Sequence, residues 1–453
     1  MADTPTDCLL FPDLFHKPVH VAFSDQQLSS DGGLLLLKAR DRKLNLCSRL
    51  ATALPDRRQA AKVEHSLLIQ LQQRVYALAA GYPDVNEAAA LAGDPMFKLA
   101  CGRGLRDPSL ASQPTLSRFE NAARRGDLYR MSRALADTLL LHLRQRHRNA
   151  RRVWIDVDPT CTPTHGEQQQ TFFNGYYDTW CYLPLVITLS FDDDPRKYPL
   201  VLLLRPGNAD AVQGVLPVLR RLVPRLQTLW RKARLWLRAD SAFARSDLLD
   251  WLDAQRIGYD IGVASNSVLA REMEEALDVV RELAERDQET VAFYLDTEYR
   301  AKSWSRVRRV LCKVEVVHAE GKALRDNVRY SITTGRSGPE HGFTRYYGHS
   351  DMENSIKELK DDAGLGRFAC SRSSANQFRA ILSLAALTLV QGLAPSWKRA
   401  GLRPQMATVR GWLIKVAVRV KETARRVVVE LAGHYPWKHR FRLCARGLGA
   451  VPI

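Results

Sequence analysis

The spacing of apolar residues predicts a helical first third of the chain. From about residue 29 to residue 145, apolar positions recur every three or four residues, as at Leu71, Val75 and Leu78. This is the period of an amphipathic helix. We therefore expect a helical N-terminal domain over residues 1–150.

The pattern changes near residue 151, where alternating apolar and polar positions predict strands. The predicted elements are, in order, strands over 153–158, 182–191 and 198–204, a helix over 210–230, a strand over 235–240, a helix over 245–255 and a strand over 259–264. This order of elements describes an α/β fold with a ribonuclease H-like core.

The core is predicted to be interrupted by an insertion and then to resume. Alternating segments around 291–295, 307–317 and 328–333 follow a charged helix and indicate a β-rich insertion. The predicted domains are a helical N-terminal domain over 1–150, the first part of the core over 151–269, the insertion over 270–338, the last core helices over 339–396 and a basic C-terminal region over 397–453.

Acidic residues stand at the ends of two predicted strands and on a later helix. Asp158 and Asp240 end their strands, and Glu353 lies on the helix. Because adjacent strands of one sheet bring their ends together, we expect these carboxylates to converge. Asp156 is a further candidate, since a carboxylate inside a strand is costly unless it binds something.

Carboxylates of this kind suit magnesium or manganese, which prefer hard oxygen ligands. Three of them suffice for two ions, which would activate the attacking water or hydroxyl and stabilise the leaving 3′ oxygen at a phosphodiester. Each acid also has a structural alternative. Asp158 and Asp240 would cap the turns that follow them, and Glu353 would form a capping box with Ser350.

The stretch around Glu353 carries residue types that bind phosphate. Read as one helix over residues 346–360, it places Tyr346, His349, Glu353 and Lys360 on one face. A carboxylate flanked by cations and an aromatic hydroxyl is suited to holding a divalent metal ion against a phosphodiester.

The charge balance favours a polyanionic partner. The 453 residues include 67 Lys and Arg against 49 Asp and Glu, for a formal net charge of +18. Counterion release from phosphates rewards a basic surface, so nucleic acid is the first candidate and an anionic membrane surface the weaker one.

Membrane insertion, structural zinc and a disulfide framework are not indicated. No apolar run approaches the roughly 20 residues that span a bilayer. The eight cysteines are scattered, without a paired or clustered pattern. We expect a cytoplasmic protein whose thiols are mostly buried and reduced.

A short predicted helix over residues 112–120 carries Gln, Thr, Ser and Arg118 after an early proline. Such a helix would enter a groove of DNA as a recognition helix. An ordinary solvated helix is the alternative, and a stretch this short favours it.

An ordered set of short motifs resembles one family of enzymes. The motifs are His165-Gly166-Glu167-Gln168, Phe173-Asn174-Gly175-Tyr176-Tyr177, Tyr182-Leu183-Pro184-Leu185, Leu237-Arg238-Ala239-Asp240, Met352-Glu353-Asn354, Ile356-Lys357-Glu358-Leu359-Lys360 and Ala375-Asn376-Gln377-Phe378-Arg379. Together they resemble bacterial insertion-sequence transposases of the DDE type, in particular the thirteen-eighty family of insertion sequences, and more distantly the transposase of transposon five.

The resemblance implies which acids would hold metal. The family's three acids correspond to Asp158, Asp240 and Glu353. Asp156 remains the competitor for the first position, and the motif alone does not separate it from Asp158.

The resemblance also implies residues that contact DNA. The family's Tyr-Arg-Glu-Lys signature corresponds to Tyr346, His349, Glu353 and Lys360, and Lys357 in the same motif is a further expected contact. His349 departs from the family pattern, because a neutral histidine lacks the permanent charge and two-pronged phosphate grip of arginine.

Trp304, in the predicted insertion, resembles the aromatic residue that supports a flipped base near the cut site in the transposon-five relative. Stacking on one extruded base is a recognised source of binding energy. A tryptophan buried in the core is the alternative.

The resemblance implies a DNA transposase that binds terminal inverted repeats, cleaves DNA with two Mg²⁺ or Mn²⁺ ions and transfers the 3′-hydroxyl ends into target DNA. Its partners would be double-stranded transposon ends and target DNA, bound by a homodimer because two ends are handled together. No membrane partner is expected, and the location would be the bacterial cytoplasm at the nucleoid.

Two other functions fit the same residues. One is a ribonuclease H-like nuclease without integration, and the other is a catalytically inactive DNA-binding protein. The clustered carboxylates argue against the inactive protein, since they repel one another and DNA unless a metal ion lies between them.

Overall fold

Helices cover a large mixed sheet in the computed structural model, which describes residues 9–23, 26–192, 194–393 and 404–452. The α-helices are α1 Leu34–Leu44, α2 Leu46–Thr52, α3 Leu67–Ala80, α4 Val85–Ala90, α5 Pro95–Ala100, α6 Gln113–Asn121, α7 Arg125–Arg146, α8 Val215–Leu229, α9 Ser246–Ala254, α10 Ser267–Glu272, α11 Glu274–Asp287, α12 Pro339–Tyr347, α13 Asp351–Lys357, α14 Ser373–Gln391, α15 Met406–Val409 and α16 Lys438–Gly447. The strands are β1 Leu9–Phe11, β2 Val19–Val21, β3 Leu28–Ser29, β4 Arg152–Pro159, β5 Thr162–Pro163, β6 Phe172–Asn174, β7 Thr179–Tyr182, β8 Leu185–Phe191, β9 Asp194–Leu203, β10 Arg234–Ala239, β11 Gly258–Val263, β12 Val291–Tyr299, β13 Arg308–Val317, β14 Arg325–Thr333, β15 Val418–Glu422 and β16 Val427–Leu431.

The central sheet has eight strands in the order β12-β13-β14-β11-β10-β4-β8-β9. Strand β4 pairs antiparallel with β8 and parallel with β10, which in turn pairs parallel with β11. The helices α8 and α9 stand in the two connections between these parallel strands. The elements expected over residues 151–269 are therefore present in the predicted order, and the α/β class is confirmed.

The predicted β-rich insertion extends the same sheet. Its strands β12, β13 and β14 are antiparallel neighbours, and β14 pairs antiparallel with β11, with Ile332 opposite Ile261. Apolar residues of β13 and β14 consequently join the core under the central sheet.

The C-terminal region packs with the N-terminal helices. Strand β15 pairs with β3 by placing Val418 opposite Ser29, and it also pairs with β16. Buried residues of α14, α15 and β15 belong to the same apolar cluster as those of α1 and α3. The boundary placed at residue 397 lies outside the described residues.

The single helix predicted over residues 346–360 is wrong. Helix α12 ends at Tyr347, α13 begins at Asp351, and a π-helical turn over Glu358–Asp362 follows. Between the two helices the backbone hydrogen bonds join residues three apart instead of four. His349 N, for example, donates to Tyr346 O at 2.9 Å. The break occurs where buried cations from the sheet bind carbonyl oxygens of this segment, as set out below.

The structure shows the state of the cysteines and the character of the helices. The seven cysteines within the described residues are free, and six of them are buried. Over the same residues, no helix has the length and apolar character needed to cross a membrane.

Candidate active site

The carboxyl ends of β4 and β10 bring two aspartates side by side. These parallel strands place Asp156 opposite Arg238 and Val157 opposite Ala239. The next residues, Asp158 and Asp240, therefore lie on neighbouring strands that are about 4.8 Å apart. This is the convergence that the strand-end positions predicted.

A pocket of about 260 Å³ opens beside Asp158. Its lining residues are Asp158, Thr160, Glu353, Ile356, Lys357, Lys360 and Asp361. The candidate acid of α13 thus shares one pocket with the first strand-end aspartate. The two candidate phosphate-binding lysines, Lys357 at the end of α13 and Lys360 in the π-helical turn, line the same pocket.

Asp158 is held in an environment that disfavours its negative charge. Burial, together with the charges of Asp240, Glu353 and Asp156, raises the pKa of its carboxyl to about 7, against the opposing effect of His349. Among the residues that the structure describes, Asp158 has no ion-pair partner.

Asp240 caps the turn that follows its strand. Its Oδ1 accepts a hydrogen bond from Ala242 N at 2.9 Å, at the start of the 3₁₀ turn Ser241–Phe243. Burial raises the pKa of Asp240 while this hydrogen bond lowers it. The structural alternative for Asp240 is therefore present, and it engages one carboxylate oxygen.

The capping box proposed as the alternative for Glu353 is not formed. Ser350 has helical backbone angles, with φ −56° and ψ −28°, and its side chain makes no cap hydrogen bond. Glu353 is exposed and lines the pocket beside Asp158.

Asp156 lies below the pocket in a buried ionic cluster. Its carboxylate accepts hydrogen bonds from Arg238 Nε at 2.7 Å and from Lys197 Nζ at 2.9 Å, and His349 Nδ1 is 3.5 Å away. Burial alone would raise the pKa of Asp156, but the charge of Arg238 together with the other two groups holds it well below its usual value.

The same two cations hold the turn between α12 and α13. Lys197 Nζ donates to Gly348 O at 2.5 Å, and Arg238 Nη1 donates to Arg345 O at 3.0 Å. A Cβ atom at Gly348 would lie 2.3 Å from Arg238 Nη1, so the turn approaches the arginine as closely as glycine permits. The cluster therefore fixes the segment that leads to Glu353.

Sequence reasoning missed both cations of this cluster. Arg238 is separated from Asp156 by 82 residues and Lys197 by 41. The available signal was the presence of Arg238 inside an otherwise apolar strand, where a buried charge requires an opposite partner.

Tyr346 lies over the end of β10. A Cβ atom placed on Gly262 would be 2.8 Å from Tyr346 Oη and 3.2 Å from the carbonyl carbon of Asp240. Burial and then the charge of Asp240 raise the pKa of Tyr346 to about 12. Its hydroxyl consequently remains a neutral hydrogen-bond donor near neutral pH.

Trp304 is in the core. Its side chain is 3% exposed, its Nε1 donates to Ala244 O at 3.2 Å, and its ring packs edge-on against Tyr299. An indole enclosed in this way has no face available to a base, so its burial supports the core alternative.

Arg118 is distant from these interactions. It is exposed on α6, whose Leu116 and Phe119 are buried, and its Nη2 lies 3.3 Å from Thr115 Oγ1. The helix therefore contributes one face to the N-terminal core and presents the other to solvent.

The donor chemistry of the pocket suits a divalent metal ion. Within the described ranges, no three carboxylate, imidazole or thiolate groups stand close enough together to hold one ion as they are placed. The charges of Asp240 and Glu353 nevertheless make ionisation of Asp158 more costly. A bound cation would remove that cost, and hard oxygen donors are the ligands that Mg²⁺ and Mn²⁺ prefer.

Comparison with known families gives a match that extends over nearly the whole chain. The family described as transposase DDE domain group 1 matches residues 11–452. Among curated proteins, none matches the sequence significantly.

Proposed function

Since the chain belongs to the family of DDE transposases, we propose that it binds terminal inverted repeats, cleaves DNA there and transfers the 3′-hydroxyl ends into target DNA. The observation that carries the proposal is the position of Asp158 and Asp240, each directly after the last paired residues of β4 and β10, together with the pocket that Asp158 shares with Glu353. Carboxylates without an ion-pair partner in the described part of the chain, beside two pocket lysines, are suited to a metal-dependent reaction on a phosphodiester.

Asp158, Asp240 and Glu353 are the proposed metal ligands. When bound, two Mg²⁺ or Mn²⁺ ions would lower the pKa of the attacking water or hydroxyl and stabilise the leaving 3′ oxygen. We assign Asp156 a positioning role instead, because Arg238 and Lys197 already neutralise its charge.

The other residues of the pocket are proposed to bind the DNA backbone. Lys357 and Lys360 flank Glu353 in the pocket lining and would hold a phosphate beside the acids. Tyr346 would donate a hydrogen bond, since its hydroxyl stays protonated. His349, close to both Asp156 and Asp158, supplies charge only when protonated and is the weaker counterpart of the family's arginine.

The wider assignments also remain proposals. We propose that the strand order β9-β8-β4-β10-β11 is a ribonuclease H-like core and that the exposed face of α6, including Arg118, contacts DNA. A homodimer on DNA, acting at the nucleoid, follows from the need to handle two DNA ends together.

A cleavage and joining assay tests the proposal. Purified protein is incubated with magnesium or manganese and DNA that carries the element's own ends, beside the Glu353→Gln variant. Cleaved and joined products that disappear in the variant are expected. Cleavage without joining would replace the transposase by a nuclease, and binding without either product would indicate an inactive DNA-binding protein.

A further inference from the structure

The hairpin formed by β6 and β7 exposes five aromatic side chains. Their exposed fractions are 42% for Phe172, 50% for Phe173, 89% for Tyr176, 40% for Tyr177 and 57% for Trp180. Side chains of this size are usually buried, and an exposed group of them on one element marks an interaction surface. We call these five residues the hairpin aromatics.

The hairpin aromatics form ordered pairs. Phe173 and Trp180 are directly opposite in the strand register, with ring centroids 6.4 Å apart. In the turn, the rings of Tyr176 and Tyr177 are 4.8 Å apart and nearly perpendicular. Flat rings therefore project from both the strands and the turn of one small element.

The backbone beneath these rings is held firmly. Asn174 Oδ1 accepts hydrogen bonds from Tyr176 N at 3.1 Å and Tyr177 N at 3.3 Å, and its Nδ2 donates to Gly207 O at 2.7 Å. A Cβ at Gly207 would lie 2.5 Å from Phe172 O, so the hairpin rests closely on that loop. A ligand that binds such a surface loses little energy to ordering the protein.

The hairpin is close to the acidic pocket. Strand β5 follows β4 and pairs with β7, and Thr164 N donates to Trp180 O at 2.9 Å. Six residues lead from Asp158 to Thr164, a span of at most about 20 Å. The pKa of Tyr177 is raised to about 12 by burial and next by the charge of Asp158, so one end of the aromatic surface is within electrostatic reach of the acids.

We propose that the hairpin aromatics stack against unpaired nucleotides of the DNA strand beside the cut site, an inference that rests on the proposed function. Lys357 and Lys360 would draw the DNA backbone to the pocket, and aromatic rings stack on any base irrespective of sequence. The lysines of the neighbouring pocket and the net charge of +18 favour a polyanionic occupant.

The test measures binding without cleavage. Full-length protein in chelator is titrated against two duplexes of one sequence, fully paired or opened by mismatches at the last three positions, with 2-aminopurine in the opened strand. The variants are Trp180→Ala, Tyr176→Ala and Trp180→Phe. Tyr129→Ala, which removes an aromatic ring of α7 that is 50% exposed, is the matched control.

The wild-type protein is expected to prefer the opened duplex and to quench 2-aminopurine fluorescence. Trp180→Ala should reduce that preference about tenfold, whereas Trp180→Phe and Tyr129→Ala should retain it. An unchanged preference in both Trp180→Ala and Tyr176→Ala would overturn the proposal. A shift of the DNA-free protein from dimer to monomer in Trp180→Ala would also overturn it, because the surface would then belong to a contact with a second copy.

This outcome is separable from the fate of the proposed function. The binding preference is read without metal, so it stands even if the protein proves unable to cut or join DNA. Conversely, a protein that joins DNA normally but shows no loss of preference in Trp180→Ala keeps the transposase proposal and loses only the stacking surface.

Discussion

Asp156 and Asp158 are two residues apart on one strand, and their surroundings are opposite. Asp156 is fully buried between Arg238 and Lys197, whereas Asp158 has the carboxylates of Asp240 and Glu353 as its charged neighbours. The pKa of Asp156 is accordingly lowered and that of Asp158 is raised.

The difference separates an anchoring pair from a reactive pair. On β10, Arg238 lies opposite Asp156, and one step further Asp240 stands beside Asp158. The Asp156–Arg238 pair has no net charge, and Arg238 also holds the α12–α13 turn. The second pair has no ion-pair partner within the described residues, and a bound cation would balance its negative charge.

The largest expected effect comes from removing a proposed ligand. Asp158→Asn should reduce metal-dependent DNA cleavage on the order of a thousandfold or more, because the metal supplies several kcal/mol of transition-state stabilisation. The rate is measured with end-labelled DNA under single-turnover conditions. Asp361→Asn, at another acid of the same pocket lining, is the control and should change the rate only a few-fold. If Asp158→Asn and Asp361→Asn lost cleavage rate equally, Asp158 could not be distinguished as a metal ligand from the other acid of the pocket.

Removing the anchoring carboxylate should affect stability first. Asp156→Ala leaves two buried cations without a partner and is expected to cost about 3–5 kcal/mol. Thermal unfolding monitored by circular dichroism gives the comparison with Asp158→Asn, which should not be destabilised. If Asp156→Ala unfolded at the wild-type temperature and lost only metal-dependent cleavage, Asp156 would be a ligand and the two roles would have to be exchanged.

A smaller loss is expected at the turn itself. Gly348→Ala forces a methyl group against Arg238 and should destabilise the protein by about 1–3 kcal/mol, with slower cleavage because the turn leads to Glu353. Gly433→Ala, in the turn after β16, places its methyl group where no atom lies within 4 Å and should be neutral in both assays. A neutral Gly348→Ala would mean that Arg238 moves without consequence.

The last expected effect is a dependence of stability on pH. Asp158 holds its proton up to about pH 7 in the folded protein, against a usual pKa of 3.8, so the folded state binds more protons between these values. Stability of the metal-free protein therefore falls as the pH rises through this window.

Asp158→Asn should abolish that fall, so its unfolding temperature should exceed that of the wild type at pH 8 and match it near pH 4. Each kcal/mol of relief corresponds to roughly 2–4 °C. The measurement is a pH series of unfolding temperatures in chelator. A variant that gains stability equally at both pH values would show that ionisation of Asp158 is not the cause.

The sequence was sufficient to predict which strands meet. Alternation defined β4 and β10, and their acidic ends then had to converge because both strands run the same way in one sheet. It was not sufficient to separate Asp156 from Asp158, since residues two apart on a strand face the same side. The deciding partner, Lys197, comes from β9 through tertiary contacts.

Local periodicity also failed where backbone groups have distant partners. The residues from 346 to 360 have the spacing of one helix, but the carbonyls of Arg345 and Gly348 are bound by side chains from the sheet. Trp304 gives the same lesson, because its indole is fixed by the carbonyl of Ala244, far away in the chain.

The pairing of β15 with β3 has a consequence for biosynthesis. Ser29 pairs with Val418, which is synthesised about 390 residues later. At 5–20 residues per second, a ribosome needs roughly 20–80 s to synthesise the chain between them. The N-terminal helices must remain incompletely covered during this interval. A message cut short before β15 would yield a chain whose N-terminal apolar cluster lacks the residues of β15, and such exposed apolar surface is prone to aggregation.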